Sequence, residues 1–224
     1  MTFSLVARCA ETGMLGMAIS SSSPAVAARC AHARAGVGVV ASQNITDPAL
    51  GSVVLNQMAA GLSAPDAIAA VVAATAHIAY RQLLAVDAQG QTAVHSGSHV
   101  LGVWGAAQAA NVAAGGNLLA NDQIPQVLVD AFTAAKGHLG DRLIAALKAA
   151  LRAGGEAGPV HSAGLLIVDR LDWPIVDLRC DWSEDCPIAT LEQTWEVYRP
   201  QISAYVQRAE NPTMAPSYGV PGDV

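Results

Sequence analysis

Residues 2–9, TFSLVARC, mix apolar and β-branched positions and predict a strand. Glu11-Thr12-Gly13 reads as a turn, and residues 14–21, MLGMAISS, as a second strand paired with the first. A short alanine-rich connection leads to a third strand at 36–43, GVGVVASQ, and a polar loop at 44–51, NITDPALG. A helix follows over 52–61, and Ser63 caps the next one, with Asp66 completing a short capping box. Ile68, Val71 and Val72 have the spacing of its buried face. Residues 81–86 and 91–95 flank Asp87-Ala88-Gln89-Gly90 and predict a hairpin. A strand over 109–114 runs toward Gly115-Gly116-Asn117. Helices are predicted over 122–136, ended by Gly137, and 140–153, ended by Gly154-Gly155. Strands at 162–169 and 174–181 and a helix at 188–208 complete a single domain over 1–210, and a proline-bearing tail at 211–224 is expected to be loose. Runs of strands separated by paired helices suit an α+β architecture of stacked sheets with helices outside.

Composition narrows the class. Hydrophobic residues make up 52% and charged residues 13% of the chain, which excludes disorder and predicts burial against further copies of itself, a homo-oligomer. The net charge of -6 with no basic patch argues against nucleic acid. No apolar run reaches the roughly 18–20 residues of a membrane span, and the N-terminus lacks a signal-peptide pattern, so a cytoplasmic protein with no membrane partner is expected. Cys9, Cys30, Cys180 and Cys186 are dispersed and read as buried, reduced thiols. His95, His99 and His161 do not share metal-ligand spacing on one face, so neither metal nor cofactor is expected.

The chain's sharpest chemical feature is Thr2 directly after Met1. A small second residue permits removal of the initiator methionine, and the exposed α-amine would titrate at about 7.7–8.0. One residue then supplies both a hydroxyl nucleophile and its base.

Several blocks in order resemble one bacterial family. They are TFSLVARCAETGMLGMAISS, ARAGVGVVASQNITDPALG at 33–51, AAGLSAPDAIAAVV, RQLLAVDAQGQTAVHSG, GGNLLAND, and HSAGLLIVD at 161–169. Together they identify the chain as similar to the domain of unknown function 1028. The resemblance implies a four-layer αββα sandwich of two mainly antiparallel sheets, like that of N-terminal-nucleophile (Ntn) hydrolases. It also implies site positions. Thr2 is the catalytic candidate, with Ser21 orienting it and Asn117 donating to a developing oxyanion. Ser22, Arg34, Gln43, Asp47 and Gly116 are candidates for substrate contact. Where family members often carry a Trp-x-Gly-His-like stretch, this chain reads Trp104-Gly105-Ala106-Ala107, without the histidine.

The function expected from these features is hydrolysis of a small amide, ureido or γ-glutamyl-like C–N bond through a Thr2 acyl-enzyme. The alternative is a non-catalytic binding or assembly protein of the same fold. A compartmentalising peptidase is disfavoured, because Lys136 and Lys148 both fall on late helices rather than mid-sequence. Trp173, Trp182 and Trp195 read as core or interface anchors.

Overall fold

Thr2–Arg8 (β1) and Leu15–Ser21 (β2) pair antiparallel through the turn at Gly13, whose φ of 80° suits a residue without a side chain. A one-turn helix, Val26–Cys30 (α1), leads into Ala31–Arg34 (β3) and Gly38–Asn44 (β4). Helices Ala49–Ala59 (α2) and Ala64–Ala74 (α3) precede the hairpin Arg81–Asp87 (β5) and Thr92–Ser96 (β6). Gly105–Ala109 (β7) and Val112–Asn117 (β8) form another hairpin. Ile124–Ala134 (α4), Leu139–Arg152 (α5), Ser162–Val168 (β9), Val176–Cys180 (β10), Pro187–Tyr198 (α6) and Ile202–Glu210 (α7) follow. The computed structural model describes residues 1–221.

All strand pairs are antiparallel, in a six-stranded sheet ordered β10-β9-β2-β1-β8-β7 and a four-stranded sheet ordered β3-β4-β5-β6. Three apolar layers hold four structural layers together. Phe3, Leu5 and Ala7 pack outward against Leu128 and Phe132 of α4 and Leu143 and Leu147 of α5. Val6, Met17, Ile19, Val39, Ala41, Leu84 and Ala113 pack between the two sheets. Val40, Leu83 and Ala85 pack against Val54, Met58, Ile68 and Val71 on α2 and α3. The period-2 alternation of β1 sends odd residues to the helices and even residues to the second sheet. The result is the αββα sandwich expected from the sequence. Each fully buried side chain of the size of Leu128 or Phe132 contributes about 1.5–3 kcal/mol of burial.

Local signals explain the helix starts. The Ser63 hydroxyl accepts from the Asp66 amide at 3.2 Å. Asp87 receives the Gln89 and Gln91 amides, closing the β5–β6 turn, and its second oxygen takes the Ala64 amide at 2.9 Å, anchoring the start of α3.

Three elements differ from the sequence expectation. The strand expected over 109–114 straddles a turn: Asn111 has φ 67° and separates β7 from β8. The single helix expected over 188–208 is two, because Pro200 lacks an amide hydrogen and the chain passes through a 3₁₀ turn at Arg199–Gln201. The alanine-rich connection after β2 contains α1 and β3. Beyond α7, the Arg208 guanidinium lies 3.7 Å from the Tyr218 ring centre and the Gln207 amide donates to the Met214 carbonyl at 2.6 Å. Residues 222–224 of the expected loose tail lie outside the described residues.

Candidate functional site

The inter-sheet layer changes character at one end. Along most of its length it is aliphatic, but at the start of β1 it becomes polar. Thr2 and Ser4 point into it from β1, Ser21 from β2, Asn117 from β8, Gln43 from β4 and Gln82 from β5. All six are buried, Thr2 being 7% exposed. Thr2 and Asn117 are directly opposed across the β1–β8 ladder, which holds facing Cα atoms about 4.5–5.5 Å apart.

Hydrogen bonds join this cluster. Thr2 Oγ1 donates to the Met1 carbonyl at 2.5 Å and lies 3.3 Å from Ser21 Oγ. Ser21 Oγ also donates to the Met1 carbonyl and accepts the Ser23 amide at 3.0 Å. Two hydroxyls thus converge on one carbonyl oxygen. Deeper in the layer, Ser4 donates to Gln43 Oε1 at 2.6 Å, Gln43 to Gln82 Oε1 at 2.8 Å, and Asn117 to the same Gln82 oxygen at 3.4 Å. This chain of amides fixes the side chains beneath Thr2.

A strap closes the end of the sheet. Leu118 has φ 51°, a left-handed conformation costly for a branched side chain, and it turns the chain away after Asn117. The Ala157 amide donates to the Leu118 carbonyl at 2.9 Å, and Leu119 bridges Glu156. On the far side the His161 amide donates to the Ser21 carbonyl at 2.8 Å. Residues 155–161 therefore run from β8 to β2 past the start of β1, which lies between them. Glu156 is 4% exposed; its Oε2 accepts the Ser22 amide at 3.1 Å, while its buried Oε1 has no partner. Burial pushes this carboxyl up to about 7, against the opposing pull of the amino terminus, the Ser22 bonds and His161. The His161 ring stacks on Trp182 at 4.4 Å.

The model of the family of unknown function DUF1028 matches residues 2–191. The chain belongs to this family. The crystal structure of protein SPO2555 from Silicibacter pomeroyi, which matches the DUF1028 family model, is 33% identical, with a TM-score of 0.82 over 88% of each chain. Anbu (ancestral beta-subunit) from Yersinia bercovieri is 11% identical, with a TM-score of 0.42 over 92% of this chain and 97% of its own. An Anbu mutant from Hyphomicrobium sp. strain MC1 is 12% identical, with a TM-score of 0.42 over 92% and 100%. No curated protein matches the sequence.

Within this DUF1028 chain the structure brings Thr2, Ser21, Gln43 and Asn117 together and puts Ser22 beside them. The other sequence candidates fall elsewhere. Arg34 pairs with Gly38 at the far end of β4 from Gln43, roughly 16 Å of strand at about 3.3 Å per residue, and its exposed guanidinium donates to Asn56 at 2.9 Å. Asp47 shapes the start of α2: its carboxylate accepts the Ala49 amide at 3.1 Å and its carbonyl the Ser42 hydroxyl at 2.8 Å. Gly116 faces the helical side, where an added Cβ would lie 2.6 Å from Leu119 and 2.9 Å from the Thr2 carbonyl. That face is closely packed, while the Gly116 carbonyl accepts from Gln82 Nε2 at 3.3 Å and Gly115 borders Gln82 on the inner face.

The sequence reading missed Ser4, Gln82 and Glu156. Ser4 carried a usable signal, since strand alternation puts it on the Thr2 face. Of the tryptophans, Trp195 is a core anchor, with its indole donating to Asp141 at 2.8 Å, whereas Trp182 is 51% exposed beside the strap. Lys148 pairs with Glu192 at 2.6 Å in the outer helical layer. Among the described residues, no helix is long and apolar enough to cross a membrane.

Proposed function

We propose that the mature protein is an N-terminal-nucleophile amidohydrolase in which Thr2, freed of Met1, attacks a small amide, ureido or γ-glutamyl-like C–N bond. The observation that carries this reading is the position of the Thr2 hydroxyl. It sits at the head of a central strand, 3.3 Å from the Ser21 hydroxyl and opposite Asn117, in a polar end of an otherwise aliphatic layer. Ser21 orients the hydroxyl, and the liberated amine takes its proton. Asn117 is the candidate donor to the oxyanion, a role typically worth about 2.7–4 kcal/mol in a preorganised site. The buried amides of Gln43 and Gln82 hold Asn117 in place. Small-molecule chemistry in a homo-oligomer without cofactor, metal, nucleic acid or membrane is the setting proposed for it.

The reading is tested by turnover on an amide library with intact-mass control of the N-terminus. Thr2→Ala is expected to abolish turnover while costing about 1 kcal/mol of stability, the worth of one intramolecular hydrogen bond. Thr2→Ser keeps the hydroxyl and the amine and is expected to retain partial activity. Turnover by Thr2→Ala equal to wild type would overturn the assignment.

One observation favours a second reading, a non-catalytic binding protein. The inner amide chain is satisfied within the fold, its members bonding one another and Gln82 Nε2 also bonding Ser96 and the Gly105 and Gly116 carbonyls, as a structural network would be. Loss of Met1 with no turnover on any amide would support it.

A further inference from the structure

Met1 occupies the mouth of the site as an aminoacyl group would. Its carbonyl oxygen receives the hydroxyls of Thr2 and Ser21. Its side chain lies along the strap, where a Cβ on Gly158 would come within 3.3 Å of the Met1 methyl. Its amino group carries one of the charges that act on the Glu156 carboxylate. That carboxylate is fixed by the Ser22 amide through one oxygen and holds the other, buried, without a partner. A buried acceptor left unpaired is costly, and an ammonium group is the partner that completes a carboxylate best.

We propose that, once Met1 has left, this space takes the aminoacyl half of a substrate with a free α-amine, and that Glu156 receives its ammonium group. The proposal rests on Thr2 as nucleophile and names the substrate class for it. The charge acting on Glu156 belongs to residue 1, one residue outside Thr2. A substrate amine standing where the Met1 amine stands would act on Glu156 in the same way.

The substrate sits further out than Met1 does, because a bonded C–N pair at about 1.33 Å becomes a contact of roughly 3 Å before attack. The Thr2 oxygen then bonds to the acyl carbon and the C–N bond breaks. The hydroxyl proton passes through the Thr2 amine to the leaving nitrogen. Water cleaves the ester, restores the hydroxyl and releases the amino acid. An N-acylated analogue offers Glu156 no ammonium and leaves its free oxygen unpaired, the kind of mismatch that polar sites reject strongly.

The experiment separates amine recognition from catalysis. Mature Thr2→Ala protein, verified by intact mass, lacks the nucleophile and is titrated calorimetrically with L-methioninamide and N-acetyl-L-methioninamide. The free amine is expected to bind about 100-fold more tightly. Adding Glu156→Gln, which keeps the shape and an acceptor for the Ser22 amide, is expected to erase the preference. Equal binding of the two probes, binding of neither, or a preference that survives in a folded Glu156→Gln protein overturns the proposal. The probe comparison in the parent protein decides even if the glutamine variant fails to fold. The readout uses no turnover, so it also stands apart from failure of the Thr2 assignment, which would show as turnover by Thr2→Ala equal to wild type and leave the binding preference intact.

Discussion

At the residue scale, Glu156 is a buried carboxyl whose environment its sequence context does not announce. In the sequence it follows Gly154-Gly155, which end the preceding helix, and nothing around it marks a buried position. Its burial follows from the strap crossing the head of β1, which no local pattern encodes. The departure has a pH signature. An unfolded chain ionises this carboxyl near 4.5, whereas the folded protein holds its proton until about 7. The stability it contributes is complete below pH 4.5, declines as pH rises through that window and is lost above 7. The difference corresponds to about 3 kcal/mol at 1.36 kcal/mol per pK unit. Glu156→Gln, which cannot ionise, is expected to flatten the fall in denaturation midpoint between pH 5 and pH 8. An unchanged slope in the variant would show that Glu156 is not the group responsible.

Elements follow the sequence where the signal is local, and depart from it where pairing decides. β1, β2, β5, β6 and β9 begin and end within a residue or two of expectation, because alternation and turn residues mark them. β7, GAAQA, has no β-branched or aromatic residue, and its strand character comes from the ladder it forms with β8. Pro200 carries a local signal for the break between α6 and α7, since it cannot continue a helix without loss, but the single helix expected over 188–208 runs through it. Thr2, Ser21 and Asn117 come as candidates with the family resemblance, and the β1–β2 and β1–β8 ladders bring them side by side. Gln82 depended on β5 lying beside β4, a non-local fact. The β1–β8 pairing makes its own prediction. Gly116→Ala drives a methyl against Leu119 and the Thr2 carbonyl, so it is expected to cost about 1–3 kcal/mol and to lower turnover by displacing the head of β1. Full stability and activity in this variant would mean the ladder has slack there.

At the scale of the molecule, the αββα order was foreseen from the succession of elements and the family blocks. Of the candidate positions, Thr2, Ser21, Gln43 and Asn117 lie together, whereas Arg34 stands at the far end of β4 and Asp47 at the start of α2. Ile45, Tyr80, Leu101 and Trp104 are large side chains more than 40% exposed. They lie on segments tied to the site end of the sheets: Asn44 receives the Leu101 amide and donates to the Tyr80 carbonyl, and Leu118 donates to the Leu101 carbonyl. Apolar surface of this kind gains from association. A homo-oligomer is therefore expected in light scattering at micromolar concentration, with a mass that is a multiple of 22.9 kDa. A monomer mass would contradict it.

The measurement that bears most directly on Thr2 compares two forms of one protein, mature and Met1-retaining, each verified by intact mass and assayed on the same amide. In the retaining form the Thr2 nitrogen is an amide without a usable lone pair, and the Met1 carbonyl already occupies the two hydroxyls. Turnover by the mature form and none by the retaining form is the expected result. Equal turnover by both would contradict it, because a nucleophile that needs no free amine is not Thr2.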